Sequence, residues 1–138
     1  MTRQTVLIAG ATGVVGHAAM HEFASMPDID LVLVSRRLPD LPDAPRARLT
    51  HLPLDLTDAK ACRVMLAGLN PVTHLVYGAL YEKPGLVAGW RDPEQMSTNL
   101  VMLRNLLDPL AARGGLRHAS ILQGTKAYGV HLHPVPVP

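Results

Sequence analysis

Cysteine is nearly absent from this chain: Cys62 is the only one, so no disulfide can form within it. A lone thiol implies a reducing compartment, and a cytoplasmic location is expected. Aromatic residues are also scarce, at 4%, so the core must be assembled from Leu, Val, Ala and Met. Charged residues make up only 17%, and the net charge of +2 comes without any basic run. This balance argues against a nucleic-acid partner. No apolar run approaches the roughly 18 residues needed to cross a bilayer, so no membrane span is expected. The N-terminus enters a strand-like segment directly, without the basic region and cleavage site of a signal peptide. Internal repeats are missing as well.

What is present is a hydrophobic content of 48% in 138 residues, enough for one domain with a real core. Strand-like and helix-like segments alternate, which predicts a parallel sheet covered by helices on both faces. Strands are expected at 5–9, 31–34, 49–54, 74–77 and 117–123. Helices are expected at 14–25, stopped by Pro27, and from a cap at Thr57 or Asp58 to about Leu69. A long one should follow Asp92-Pro93, with Met96, Leu100, Leu103, Leu107 and Leu110 along one face. Pro109 should kink or end it early. The Pro- and Gly-containing stretch 82–91 reads as a mobile connection. Residues 1–129 are expected to form the domain, and the His- and Pro-rich residues 130–138 an extended tail.

The most informative segment is Gly10-Ala11-Thr12-Gly13-Val14-Val15-Gly16, directly behind the apolar run 5–9. A buried strand that stops at such a turn and runs into a helix is the arrangement that holds a dinucleotide pyrophosphate. The glycines provide a tight turn, close approach of backbone to phosphate, and close packing of helix on strand. The helix that starts at Val14 and Val15 would add its positive dipole end and unpaired N–H groups.

Right-handed crossovers predict a Rossmann-type doubly wound α/β fold of about five parallel strands in the order 3-2-1-4-5. The ligand crevice then opens at the strand C-terminal ends. Those ends carry the glycine turn, Ser35-Arg36-Arg37, Asp55-Leu56, Gly78-Ala79, and the segment from Gln123 to Lys126. The second strand's end selects between cofactors. An acid there holds the 2′-hydroxyl of NAD, whereas arginine accommodates the 2′-phosphate of NADP. Here Ser35, Arg36 and Arg37 replace the acid, so NADP(H) is the expected cofactor; two solvated surface arginines are the alternative.

These segments resemble the extended short-chain dehydrogenases/reductases. Gly10 to Gly16 matches their glycine motif, Asp55-Leu56 the acid that closes over adenine, and Asn99 with Asn105 two helix asparagines. Ser35-Arg36-Arg37, residues 73–77, residues 99–107 and above all Gln123-Gly124-Thr125-Lys126-Ala127-Tyr128 resemble one branch, the progesterone 5β-reductase/iridoid synthase-like reductases. The resemblance implies that Lys126 is the catalytic lysine. It also implies that full-length relatives deliver hydride from NADPH to an enone or carbonyl of a small-molecule substrate. Ala127 departs from the histidine often found in that motif.

In that branch the catalytic tyrosine lies on a later helix, and Tyr77, Tyr81 and Tyr128 are each followed four residues on by something other than lysine. The chain is therefore expected to be an N-terminal portion that holds the cofactor without using it, its sheet incomplete at the C-terminus. A non-catalytic dinucleotide-binding or sensing module is the alternative. With the fifth strand left as an exposed sheet edge, self-association or low stability without cofactor is expected. His118, His131 and His133 lack a cysteine or carboxylate cluster, so no metal site is expected.

Overall fold

A computed structural model of the chain describes residues 3–124, 127, 129 and 132–134. In chain order the elements are β1 (Gln4–Ala9), α1 (Val14–Ala24), β2 (Ile29–Ser35), β3 (Arg48–Pro53), α2 (Ala59–Ala67), β4 (His74–Tyr77), α3 (Leu86–Gly89), α4 (Pro93–Arg113) and β5 (His118–Ile121). The five strands form one parallel sheet in the order β3-β2-β1-β4-β5, the order that the crossover rule predicts.

The two apolar runs of β1 and β2 form the sheet's interior because side chains alternate between its faces and both faces are covered. Leu7, Ala9, Val32, Val34, Leu75 and Tyr77 pack beneath α2 and α4, together with Cys62, Leu66, Leu106 and Leu110. Val6, Ile8, Leu31 and Leu33 face the opposite way, against Met20 and Ala24 of α1. Burying each leucine fully contributes about 1.5–3 kcal/mol. Strand β5 is different, because Ile121 and its neighbours His118 and Ala119 are exposed at the sheet's edge.

Helix starts follow local chemistry. Asp58, rather than Thr57, caps α2, its carboxylate accepting from Lys60 N–H at 3.0 Å and Ala61 N–H at 2.9 Å. Asp92 caps α4 by accepting from Gln95 N–H at 2.8 Å, with Pro93 in the first turn.

Three expectations need correction. Of the two outcomes expected at Pro109, a kink or an early end, the early end does not occur: helix α4 runs on to Arg113 and ends at Gly114. Tertiary contacts hold its last turn: Leu106 and Leu110 are buried, and the Arg113 guanidinium donates to the carbonyls of Leu66 and Leu69 at the end of α2. The buried face of α4 is also rotated from the expected one. Leu106 and Leu110 lie in the core with Met102, Leu103 and Leu107 packed against it, whereas Met96 and Leu100 are exposed. Finally, the connection 82–91 is an anchored segment that contains α3. Lys83 pairs with Asp92 and Glu94, and its N–H donates to the Gln95 side chain at 2.8 Å.

No described helix is long and apolar enough to cross a membrane.

Candidate functional site

Between the C-terminal ends of β1, β2 and β4 lies a cavity of about 540 Å³. Its floor is the glycine turn. Gly10 holds φ at +82°, a left-handed conformation that side chains rarely adopt, and a Cβ there would stand 2.7 Å from Ala79 N. At Gly16 a Cβ would collide with the Gly10 carbonyl, so this glycine lets α1 lie against the end of β1. Gly13 is unlike both. A Cβ there would meet only Gly10 O, at 3.4 Å, so its bareness leaves backbone open to the cavity that it lines with Thr12.

Gly13 is also the N-cap of α1 and offers no side-chain cap. His17 N–H bonds to the Gly13 carbonyl at 2.8 Å. The amides of Val14, Val15 and Gly16 precede it in the helix and face whatever sits at the helix start. The side chains of Val14 and Val15 themselves are exposed, and Val15 borders the second cavity described below.

The far wall comes from β2 and the β3–α2 turn. Ser35 is buried and Arg36 exposed, and both line the cavity; Arg37 is exposed and lies outside its lining. Asp55 lines the same space. Its carboxylate accepts from Thr57 N–H at 2.9 Å and Thr57 Oγ1 at 2.8 Å. Those two bonds hold it below the usual carboxylate range, with the Arg36 charge adding to the effect. Leu56 is buried beside it, and its carbonyl accepts from Asn105 Nδ2 at 2.8 Å, which ties α4 to this wall.

Gly78 and Ala79 border both this cavity and a second one of about 610 Å³. The second is bounded by the start of α4, by α3 and by Leu122, Gln123, Gly124 and Ala127 beyond β5. Asn99 lines it, with its amide spent on neighbouring backbone. Oδ1 accepts from Tyr81 N–H at 2.8 Å, and Nδ2 donates to the carbonyls of Tyr81 at 2.7 Å and Gln95 at 2.9 Å. Lys126 lies outside the described residues, as do Thr125, Tyr128 and His131. His118 contacts Ser120 Oγ at 3.0 Å, and no cluster of three metal-ligating residues occurs among the described residues.

Sequence reasoning missed Val34, Leu54, Thr57, Leu80, Tyr81, Thr98 and Met102 as lining residues of the first cavity. Thr98 and Met102 are one helical turn apart, but that spacing does not say which side of α4 faces the site. Thr57 also answers to a turn signal, an Asp two residues before a Thr, besides its place next to the cap of α2.

No curated protein matches the chain in sequence. Among solved structures, uronate dehydrogenase from Agrobacterium tumefaciens is 29% identical, with a TM-score of 0.54 over 81% of this chain and 38% of its own. The Bordetella bronchiseptica enzyme WbmH in complex with NAD+ is 21% identical, with a TM-score of 0.68 over 92% of this chain and 41% of its own. ElxO with NADP bound is 16% identical, with a TM-score of 0.64 over 80% of this chain and 50% of its own. The chain thus spans half or less of the length of these structures. The NAD-dependent epimerase/dehydratase family matches residues 6–136, nearly the whole sequence. With this match, the sheet order and the glycine turn in agreement, the chain belongs to that family, within the extended short-chain dehydrogenase/reductase superfamily.

Proposed function

We propose that the chain is the NADP(H)-binding portion of a reductase acting on an enone or carbonyl substrate. The observation that carries the cofactor choice is Arg36, which lines the first cavity opposite the glycine turn while β2 ends in Ser35 and offers no acid. The turn fits a dinucleotide: Gly10 and Gly16 have no room for a side chain, and Gly13 exposes bare backbone to the cavity. Val14, Val15 and Gly16 amides would hold the pyrophosphate, Arg36 the 2′-phosphate, and Asp55 and Leu56 the adenosine. Structural neighbours solved with NAD+ and with NADP support dinucleotide binding on this fold.

When bound, NADPH supplies the hydride, and the protein supplies orientation and electrostatics. The second cavity, beyond Gly78 and Ala79, is the proposed place for the reacting end and the substrate. The resemblance assigns to Lys126 the role of holding the ribose and favouring a nearby proton donor. A second reading is a dinucleotide-binding or sensing module, in which the glycine turn and the first cavity hold the ligand without turnover. The exposed edge of β5 is the proposed surface for self-association.

Fluorescence titration with NADPH and NADH tests the cofactor choice. NADPH should bind at least about tenfold tighter, and Arg36→Ala should remove most of that preference, since a charged hydrogen bond contributes about 1.5–3 kcal/mol. Equal affinities would overturn the NADP(H) assignment. Oxidation of NADPH in the presence of short enones distinguishes the reductase, and binding without turnover supports the module.

A further inference from the structure

Ser35 ends β2 as one of the few buried polar residues, and its hydroxyl donates to the Arg37 carbonyl at 2.7 Å. That bond bridges Arg36, the arginine that lines the first cavity. On the neighbouring strand, the His51 ring places Nε2 3.1 Å from Ser35 Oγ and 3.2 Å from the Ser35 carbonyl oxygen. A carbonyl only accepts, so Nε2 carries the proton. Ser35 Oγ then accepts from His51 and keeps its own proton for Arg37. Donation therefore runs in one direction, from His51 to Ser35 to Arg37.

The parallel register makes this possible. Leu33 pairs with His51 and Ser35 with Pro53, so His51 and Ser35 lie on one face of the sheet, two residues apart along the ladder. The Ser35 hydroxyl is thus engaged both as donor and as acceptor at the edge of the cavity that Ser35 lines.

We propose that His51 is a positioning residue for recognition of the cofactor's 2′-phosphate. It orients the Ser35 hydroxyl, which pins the Arg37 carbonyl and so fixes the backbone that presents Arg36 to the cavity. A long arginine side chain loses conformational freedom when it engages a phosphate, and a pinned backbone lowers the remaining ordering cost. The effect is confined to ligands with a 2′-phosphate. This inference rests on the NADP(H) reading above, and its failure can be told apart from the failure of that reading.

The test is calorimetric titration of the full chain with adenosine 2′,5′-bisphosphate and with 5′-AMP. The wild type should prefer the bisphosphate. His51→Leu should weaken bisphosphate binding roughly tenfold, about the effect of one hydrogen bond to a charged site, and change 5′-AMP binding less than about twofold. His51→Gln, which keeps a donor near the Nε2 position, should restore most of the loss. Ser35→Ala supplies a route that leaves the histidine intact. It should show the same selective loss, and Ser35→Ala/His51→Leu should be no weaker than Ser35→Ala alone. Equal losses for both ligands, additive losses in the double variant, or an unchanged preference in His51→Leu would overturn the role of His51. A wild type that binds 5′-AMP as tightly as the bisphosphate would overturn the NADP(H) reading and this inference with it.

Discussion

The Asn99 side chain clasps the backbone of Tyr81 at both ends, its Oδ1 accepting from the N–H at 2.8 Å and its Nδ2 donating to the carbonyl at 2.7 Å. An asparagine so placed acts like one rung of a sheet, joining α4 to the chain that leaves β4. That chain carries Leu80 and Tyr81, which border the first cavity, and Leu80 borders the second as well. The clasp therefore helps to shape both spaces.

Asn99→Leu should break both bonds and leave the backbone groups of a half-buried residue unpaired. A destabilisation of about 2–3 kcal/mol is expected from the urea midpoint. Proteolysis should then begin within residues 80–92, where the Lys83 and Gln95 contacts are among the anchors that remain. An unchanged midpoint would show that the clasp is incidental. Asn99→Asp keeps the acceptor for Tyr81 N–H but loses the donor, so it should fall between the two.

Two glycines of the same turn should respond differently to one added methyl, one in stability and the other in affinity. Gly16→Ala drives a Cβ into the Gly10 carbonyl, so α1 must move off the strand end. A loss of at least about 2 kcal/mol is expected, read by thermal unfolding. Gly13→Ala has room and a permitted backbone, with φ at −81° and ψ at 164°, so its stability should change by less than about 1 kcal/mol. Its affinity for NADPH should nevertheless fall by about tenfold or more, because the methyl projects where phosphate approaches. If Gly13→Ala binds like the wild type, the pyrophosphate does not sit on this turn.

These contrasts explain why so much of the fold was legible. Gly10 and Gly16 are written into the sequence by backbone geometry, and the strand order follows from handedness alone. The face of α4 was harder. Leu100, Leu103, Leu106, Leu107 and Leu110 supply two overlapping stripes, and only the presence of α2 decides that Leu106 is buried while Leu100 is not. The early end that Pro109 suggests is avoided for a similar reason, since Arg113 reaches the end of α2 and holds the last turn in place. His51 gave no local signal. Its contact with Ser35 depends on the register between β2 and β3, which no short window of sequence contains.

Acid should destabilise the protein through its bonded aspartates. Asp30 sits between two guanidinium groups, with Arg48 Nε at 2.7 Å and Arg3 Nε at 2.6 Å, and the bond from Arg48 most of all holds its carboxyl below the ordinary 3.8. Asp92 is lowered chiefly by the Gln95 N–H, and Asp55 chiefly by Thr57. In each case the folded pKa lies below the unfolded one. The stabilisation is therefore complete well above 3.8 and is lost as pH falls through that value towards the folded pKa. The urea midpoint should be flat from about pH 7 to 5 as far as these groups decide it, then drop towards about pH 3. Asp30→Asn should be less stable than the wild type at about pH 6, with the gap narrowing at about pH 3. A midpoint that rises on acidification would contradict this account.

Tyr77 carries a different signature. Its ring is 6% exposed in the core beneath α2 and α4, and its hydroxyl has no hydrogen-bond partner among the described residues. Burial, with a smaller contribution from the Cys62 thiol, pushes its phenol up to about 12. An unsatisfied buried hydroxyl costs about 1–3 kcal/mol, so Tyr77→Phe should stabilise the chain, by about 1 kcal/mol after loss of some packing. In a domain of this size that corresponds to a rise in Tm of roughly 3 °C. The sign at high pH follows from the raised value. The unfolded phenol ionises near pH 10 while the folded one stays neutral, so stability falls as pH rises above about 10. Tyr77→Phe should lose that part of the alkaline slope and, in the ultraviolet titration, the late tyrosinate step near pH 12. A variant that melts lower and keeps the late step would show that the hydroxyl is bonded and that another tyrosine is the one withheld from titration.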